Sequence, residues 1–114
     1  MRRANSKDFI LWLFGRRRRF RVEGRSMLPT LQPADHLLVN PRAYRGQAPS
    51  AGDIVIALHP LEERELVKRI ERVENGRVWL LSDNPLEGMD SRSFGPINLD
   101  SVRGQVLCKL GAAH

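Results

Sequence analysis

The sequence predicts a mostly β domain, a small β-barrel or coiled sheet, preceded by a short basic arm that is helical or disordered. Short runs of β-type residues alternate with turn residues, and no long 3.6-residue apolar period follows the N-terminal segment. Asn75-Gly76 adds a strong signal for a two-residue hairpin turn. The predicted strands, in chain order, span residues 20–23, 36–40, 53–58, 65–74, 77–81 and 102–110.

Residues 1–19 form the predicted arm, and residues 20–114 form one predicted β domain. The net charge of +6 is concentrated at the N-terminus, because residues 1–25 sum to +7 and residues 26–114 to −1. The apolar run at 9–14 is far shorter than the roughly 20 residues of a spanning helix. Four arginines follow it where a signal peptide has small residues. We therefore expect no transmembrane segment.

The arm allows more than one interpretation. It either packs on the domain as a short helix or places residues 9–21 on an anionic membrane surface. RNA binding is a weaker third interpretation, since the chain has only seven aromatic residues, three of them in the arm. We expect a cytoplasmic protein, which on the second interpretation is peripheral to the inner face of the membrane. The single cysteine, Cys108, is assigned to the core.

The hairpin at Asn75-Gly76 sets a predicted register for the two longest strands. A type I′ turn requires positive φ at both central residues and pairs Glu74 with Arg77. Continuing this register pairs Ile70 with Leu81 and Lys68 with Asp83. Period-two alternation puts Lys68 on the same face as two aliphatic neighbours, while Arg69 points the other way.

Lys68 is the first candidate catalytic residue. The chain has 16 arginines and only three lysines, and of the two side chains only a buried lysine can lose its proton. On an apolar face Lys68 either extends its ammonium to solvent or is desolvated, which lowers its pKa. A neutral lysine is a known partner of a nucleophilic serine.

Ser26 is the candidate nucleophile. Gly24 permits an unusual backbone conformation before it, and Pro29 follows it, so this loop can present a hydroxyl to a bound carbonyl. We assign Gly24, Arg25 and Met27 to oxyanion and substrate positioning, with the Ser26 N–H as an oxyanion donor.

Two other kinds of site are weighed against this pair. His36 and His59 are alternative bases, but neither has a carboxylate nearby in sequence to orient it. The histidines also lack ligand spacing, so we expect no metal site and no cofactor.

A third cluster spans residues 82–95. Asp83, Asn84 and Pro85 give a strong turn signal. Asp90 and Arg92 are two apart, so they could pair and brace the strand that carries the amine. The predicted register leads from Lys68 to Asp83 and so places this loop beside the lysine.

These residues resemble the type I signal peptidase family of Ser/Lys proteases over about residues 20–106. The resemblance implies that Ser26 is the nucleophile and Lys68 the general base, on a mostly β fold that binds its substrate as an extended strand. It also implies that Asp83, Asn84, Asp90 and Arg92 support the site structurally. The blocks that carry it are 26–31, 52–55, 67–70, 82–84 and 90–95.

Two positions depart from the family pattern. Gly88 stands where the family often has a serine beside the lysine, so that hydrogen bond must be replaced or absent. Gly24 stands where many members have a hydroxyl, so we expect backbone N–H groups to form the oxyanion hole. The short, anchorless form is most similar to the branch that matures nickel-type superoxide dismutase.

The sequence thus predicts a serine endopeptidase that removes an N-terminal extension from a precursor protein, nickel-type superoxide dismutase by resemblance. One alternative is signal peptidase-like processing of other precursors at the membrane surface. Another is a non-enzymatic β-barrel module that binds RNA or anionic lipid through its arm. A self-cleaving repressor is disfavoured, since only 25 residues precede Ser26.

Overall fold

A computed structural model describes residues 16–111 of the chain. It contains one seven-stranded antiparallel sheet with the strand order β1-β2-β7-β3-β4-β5-β6. The mostly β prediction is confirmed. The strands are β1 (Arg18–Arg21), β2 (His36–Asn40), β3 (Ile54–Leu58), β4 (Glu65–Glu74), β5 (Arg77–Leu81), β6 (Ile97–Asn98) and β7 (Val102–Lys109).

Strand bounds follow the predicted runs closely for β2, β4 and β5. β1 begins two residues earlier than predicted, so Arg18 and Arg19 belong to the sheet. A short helix α1 (Ser91–Phe94), strand β6 and a 3₁₀ turn (Leu99–Ser101) were not predicted. The arm residues 1–15, with the apolar run at 9–14, lie outside the described residues.

The sheet carries a core cluster on each face because side chains alternate along its strands. In the central strand β3, Ile54 and Ile56 belong to one cluster and Val55 and Ala57 to the other. Val67 of β4 joins the first cluster, which also holds the loop that follows β1. The sheet curls enough for Arg18 of β1 to donate hydrogen bonds to Glu65 of β4. Cys108 is buried, as predicted.

The hairpin between β4 and β5 confirms the predicted turn. Asn75 and Gly76 have φ values of 52° and 75°, and Glu74 pairs with Arg77. The register then shifts between Ile70 and Arg72. A bulge of this kind sets two residues of one strand against one of the other.

The bulge corrects the predicted register around the lysine. Ile70 lies opposite Leu80 rather than Leu81, and Arg69 lies opposite Leu81. The predicted pairing of Lys68 with Asp83 is therefore wrong. One step beyond the end of β5, the residue that faces Lys68 is Ser82.

Among residues 16–111, no helix has both the length and the apolar character needed to cross a membrane.

Candidate active site

Lys68 is buried near the middle of the sheet. It lies opposite Val55 of β3, and only 2% of its surface is exposed. Its Nζ donates a hydrogen bond to Ser82 Oγ over 3.0 Å. The structure therefore places this lysine in the desolvated environment rather than extended to solvent.

Burial lowers the pKa of Lys68 from 10.5 to about 8. Burial disfavours the charged ammonium. The Asp90 carboxylate partly opposes this effect, while the positive charges of Arg64 and Arg92 reinforce it. A substantial fraction of the amine is therefore neutral near pH 8, and a neutral amine can accept a proton.

The loop that carries Ser26 is held by its neighbours on both sides. Gly24 has a φ of 75°, the left-handed conformation that the sequence suggested for it. The Leu28 N–H donates to the Arg25 carbonyl, and the Leu31 N–H donates to the Met27 carbonyl. Leu31 is fully buried in the first core cluster. These contacts fix the path of the chain through Ser26.

The turn that follows β5 also binds this loop through hydrogen bonds. The Asn84 N–H donates to the Ser26 carbonyl over 2.8 Å, and Asn84 Nδ2 donates to the Arg25 carbonyl over 3.1 Å. The Asp83 N–H contacts Met27 Sδ at 3.4 Å. Asn84 thus ties the predicted nucleophile loop to the strand end that faces the lysine.

Asp83 contacts Arg69 and Thr30 rather than Lys68. Arg69 Nε and Nη2 each donate to its carboxylate over 2.8 Å, and Thr30 Oγ1 donates over 2.6 Å. The hydrogen bond from Arg69 is the main reason that the Asp83 pKa is lowered. A two-pronged arginine–carboxylate pair is geometrically specific. Asp83 therefore joins β4, the serine loop and the turn after β5.

Asp90 joins the end of β5 to α1 through its hydrogen bonds to Ser82 and Arg92. Its carboxylate, 1% exposed, accepts hydrogen bonds from the Ser82 N–H and from the N–H and guanidinium of Arg92. Burial raises its pKa, but these donors outweigh burial and bring it to about 2. The predicted ion pair with Arg92 is present, and Asp90 also caps α1.

The side chains of Ser26, Lys68 and Ser82 come together at Gly88. A Cβ atom placed on Gly88 would lie 2.4 Å from Ser26 Cβ, 3.0 Å from Lys68 Nζ and 3.1 Å from Ser82 Oγ. Ser26 and Lys68 thus both border one small space that only a glycine leaves open.

An open groove of about 420 Å³ gives access to this space. The chain that follows β1 lies on one side of the groove, and the first half of β4 lies on the other. This half of β4 pairs with β3, but it extends beyond the end of β5. Ser26 and Lys68 are both among its lining residues. The other lining residues are Phe20, Arg21, Glu23, Gly24, Arg25, Arg64, Glu65, Leu66, Val67, Glu87, Gly88 and Met89.

The remaining predicted site residues lie in different positions. Gly24 and Arg25 line the groove, whereas the Met27 side chain is 1% exposed and belongs to the core. His59 is buried, and its Nδ1 accepts hydrogen bonds from the Leu61 and Glu62 N–H groups. His36 is exposed at the start of β2. Within residues 16–111, no group of three or more ligand-type side chains is placed to hold a metal ion.

Ser82 is the site residue that sequence reasoning missed. It belongs to a recognised sequence block, but its contact with Lys68 depends on the bulge in β4. The hydroxyl beside the amine that Gly88 lacks is thus supplied by Ser82.

A mostly β fold with a serine loop beside an open groove has the features expected of a serine-type peptidase. The Peptidase S24-like family model matches residues 18–107, so the chain belongs to this family. This agrees with the resemblance that the sequence showed, at the level of the family.

Individual relatives are mitochondrial inner membrane protease subunits. Subunit 2 of Danio rerio is 32% identical over 75% of this chain and 59% of its own length. The ATP-independent subunit 1b of Arabidopsis thaliana is 31% identical over 76% and 66%. Subunit 1 of Homo sapiens is 30% identical over 76% and 65%. The chain thus spans about 60 to 66% of the length of these relatives. They do not support the narrower resemblance to the nickel superoxide dismutase branch.

Proposed function

We propose that this chain is a serine endopeptidase that removes an N-terminal extension from a precursor protein, with Ser26 as nucleophile and Lys68 as general base. The observation that carries the proposal is the buried Lys68 amine, whose pKa is lowered to about 8, close to Ser26 in the lining of an open groove. Membership of a peptidase family and protease-named relatives support the same reaction class.

In the proposed reaction the neutral Lys68 amine takes the Ser26 hydroxyl proton as Oγ bonds to the substrate carbonyl carbon. The ammonium then gives this proton to the leaving nitrogen as the peptide bond breaks, which leaves an acyl ester on Ser26. Water attacks the ester carbonyl while the same amine takes a proton from the water. The ammonium then returns this proton to Ser26 Oγ as the ester bond breaks, which releases the new carboxyl terminus. The Ser26 N–H is the proposed donor to the oxyanion.

The groove suits a substrate bound in an extended conformation. β5 pairs with β4 only from Arg69 onward, so the backbone of residues 65–68 faces the groove on that side. A peptide strand added there would bring its carbonyl toward Ser26. Gly24 and Arg25 border the same groove and are proposed to position the peptide.

A membrane surface is the proposed setting for this reaction. The relatives are named as inner membrane proteases, and the described basic residues Arg16, Arg19 and Arg21 are exposed. Arginines of this kind are attracted to anionic lipid. Precursors at such a surface are therefore the first substrates to test. The nickel-type superoxide dismutase precursor is a narrower candidate that rests on the sequence resemblance alone.

Cleavage can be tested by incubating the chain with both kinds of precursor, with and without anionic vesicles, and identifying new N-termini by mass spectrometry. We expect one new N-terminus with the natural chain and none with Ser26→Ala. Ser93→Ala, which removes an exposed serine hydroxyl, is the matched control and should retain cleavage.

The same experiment separates the alternatives. Cleavage that persists in Ser26→Ala would refute the mechanism. Vesicle or RNA binding without cleavage of any precursor, unchanged in Ser26→Ala, would favour the non-enzymatic binding module.

The pH dependence of cleavage gives a second test. Because the base must be neutral, kcat/KM should rise about tenfold per pH unit below the Lys68 pKa and level off above about pH 8. A steady-state pH profile of kcat/KM measures this rise. An inflection near the ordinary lysine value of about 10.4, or a profile that is flat across this range, would contradict a buried amine base.

A further inference from the structure

We infer that Ser82 is the positioning residue for the general base: its hydroxyl holds the Lys68 amine in the orientation from which it accepts the Ser26 proton. The kinetic part of this inference rests on the proposed function. Its structural part does not, because it concerns the hydrogen bond between two side chains of this protein.

The contact is direct and enclosed. Lys68 Nζ donates to Ser82 Oγ over 3.0 Å, and the two residues are only 2% and 8% exposed. Because the site is enclosed, the serine hydroxyl is an acceptor held in one position, whereas a water molecule would be a mobile acceptor. The hydrogen bond therefore limits rotation about the last bonds of the lysine side chain.

The geometry of a neutral amine explains why one fixed acceptor matters. The amine has two N–H bonds and one lone pair, so an N–H directed at Ser82 Oγ restricts the directions left to the lone pair. Ser26 also borders the space at Gly88, where a Cβ atom would meet Ser26, Lys68 and Ser82 together. With one N–H held at Ser82, the lone pair of the amine is available to the neighbouring Ser26.

Ser82 is itself held rigidly. Its N–H donates to the Asp90 carboxylate over 2.9 Å, and Arg92 donates to the same carboxylate. The next residue, Asp83, is fixed by Arg69 and Thr30. The Ser82 hydroxyl is therefore carried by a backbone that is anchored on both sides, as a positioning group requires.

Ser82 and Gly88 form one linked arrangement. The Ser82 hydroxyl reaches the Lys68 amine from the end of β5. Gly88, the loop residue beside this amine, carries no side chain, so the space between Ser26 and Lys68 stays open. Ser82 does not line the substrate groove. Its loss should therefore affect the chemical step and leave substrate binding nearly unchanged.

Ser82→Ala tests this role and keeps the backbone hydrogen bond to Asp90. Because a hydrogen-bond acceptor favours the charged amine, removing it should lower the Lys68 pKa by about one unit. Misorientation of the base should lower kcat by about 10- to 100-fold with little change in KM. The acid limb of the pH profile should move to lower pH with the pKa.

The matched control is Ser91→Ala. Ser91 Oγ accepts a hydrogen bond from the Leu80 N–H at the neighbouring end of β5, so this variant also removes a serine acceptor, but not the one on Lys68. It should leave both the Lys68 pKa and kcat near their original values.

The closing experiment measures the Lys68 pKa by nuclear magnetic resonance of the lysine-labelled chain, alongside kcat, KM and thermal stability. The chain has three lysines, so the Lys68 signal can be assigned with the Lys68→Arg variant. A lower Lys68 pKa in Ser82→Ala, with a lower kcat, supports the role. An unchanged pKa and kcat would overturn it, as would a fall in kcat matched by Ser91→Ala.

The two proposals can fail separately. If no precursor is cleaved by the natural chain but the Lys68 pKa still falls in Ser82→Ala, the proposed function fails and the hydrogen-bond assignment stands. If precursors are cleaved and Ser82→Ala behaves like the natural chain, only the positioning role fails.

Discussion

Replacing Lys68 with methionine is expected to abolish cleavage and, at neutral pH, to make the folded domain more stable. Methionine has a similar length and no charge, so it fills the same buried space without a desolvated amine. Loss of the general base should lower kcat by roughly 10⁴-fold. Function and stability therefore make opposite demands on this position.

The sign of the stability change follows from proton binding. The Lys68 pKa is about 8 in the folded chain and near 10.5 when the chain is unfolded, so the unfolded state binds more protons between these values. The folded state is thus penalised fully below pH 8, and the penalty disappears above about pH 10.5. We expect Lys68→Met to raise the free energy of unfolding by about 3 kcal/mol at pH 7 and by less as the pH rises.

Denaturant unfolding at several pH values measures this change. Lys109→Met is the control, because the Lys109 side chain is 42% exposed and pairs with Asp35 at 3.4 Å, an interaction worth under about 1 kcal/mol. A Lys68→Met variant that is less stable than the natural chain at pH 7, or that still cleaves, would contradict the account of the buried base.

Replacing Gly88 with alanine is expected to close the space between the two candidate catalytic residues. The new Cβ would lie 2.4 Å from Ser26 Cβ and 3.0 Å from Lys68 Nζ, so the serine loop or the lysine must move. Displacement of about 1 Å is enough to reduce kcat by roughly 100-fold. The φ of +88° adds backbone strain of about 1 to 2 kcal/mol for any residue with a Cβ.

Gly95→Ala separates these two effects. Gly95 has a φ of +80°, but nothing lies within 4 Å of its added Cβ, so this variant has the backbone strain without the clash. Both variants should lose stability in thermal unfolding, and only Gly88→Ala should also lose activity. Equal activity in the two variants would show that the space at Gly88 is not needed for the reaction.

The strands that the sequence predicted well are those with local signals. Asn75-Gly76 fixes the turn, and the alternation of β-type residues on either side of it gives β4 and β5 their ends. β6 has only two residues and α1 only four, so neither has enough residues to show a period. Their positions depend on contacts with the rest of the sheet, such as the pairing of Val78 with Ile97.

Local sequence features are enough to nominate the two candidate catalytic residues, because a lysine on an apolar strand and a serine between Gly24 and Pro29 can be recognised from their neighbours in the chain. Local features also predict the turn that sets the first three pairs of the hairpin. What contacts the lysine depends instead on how the strands pair in the folded sheet. The bulge in β4 shifts the register by one residue, so Ser82 faces Lys68 and Asp83 binds Arg69. A bulge inserts one extra residue into one strand of a pair, and the alternation of residue types along β4 does not reveal it.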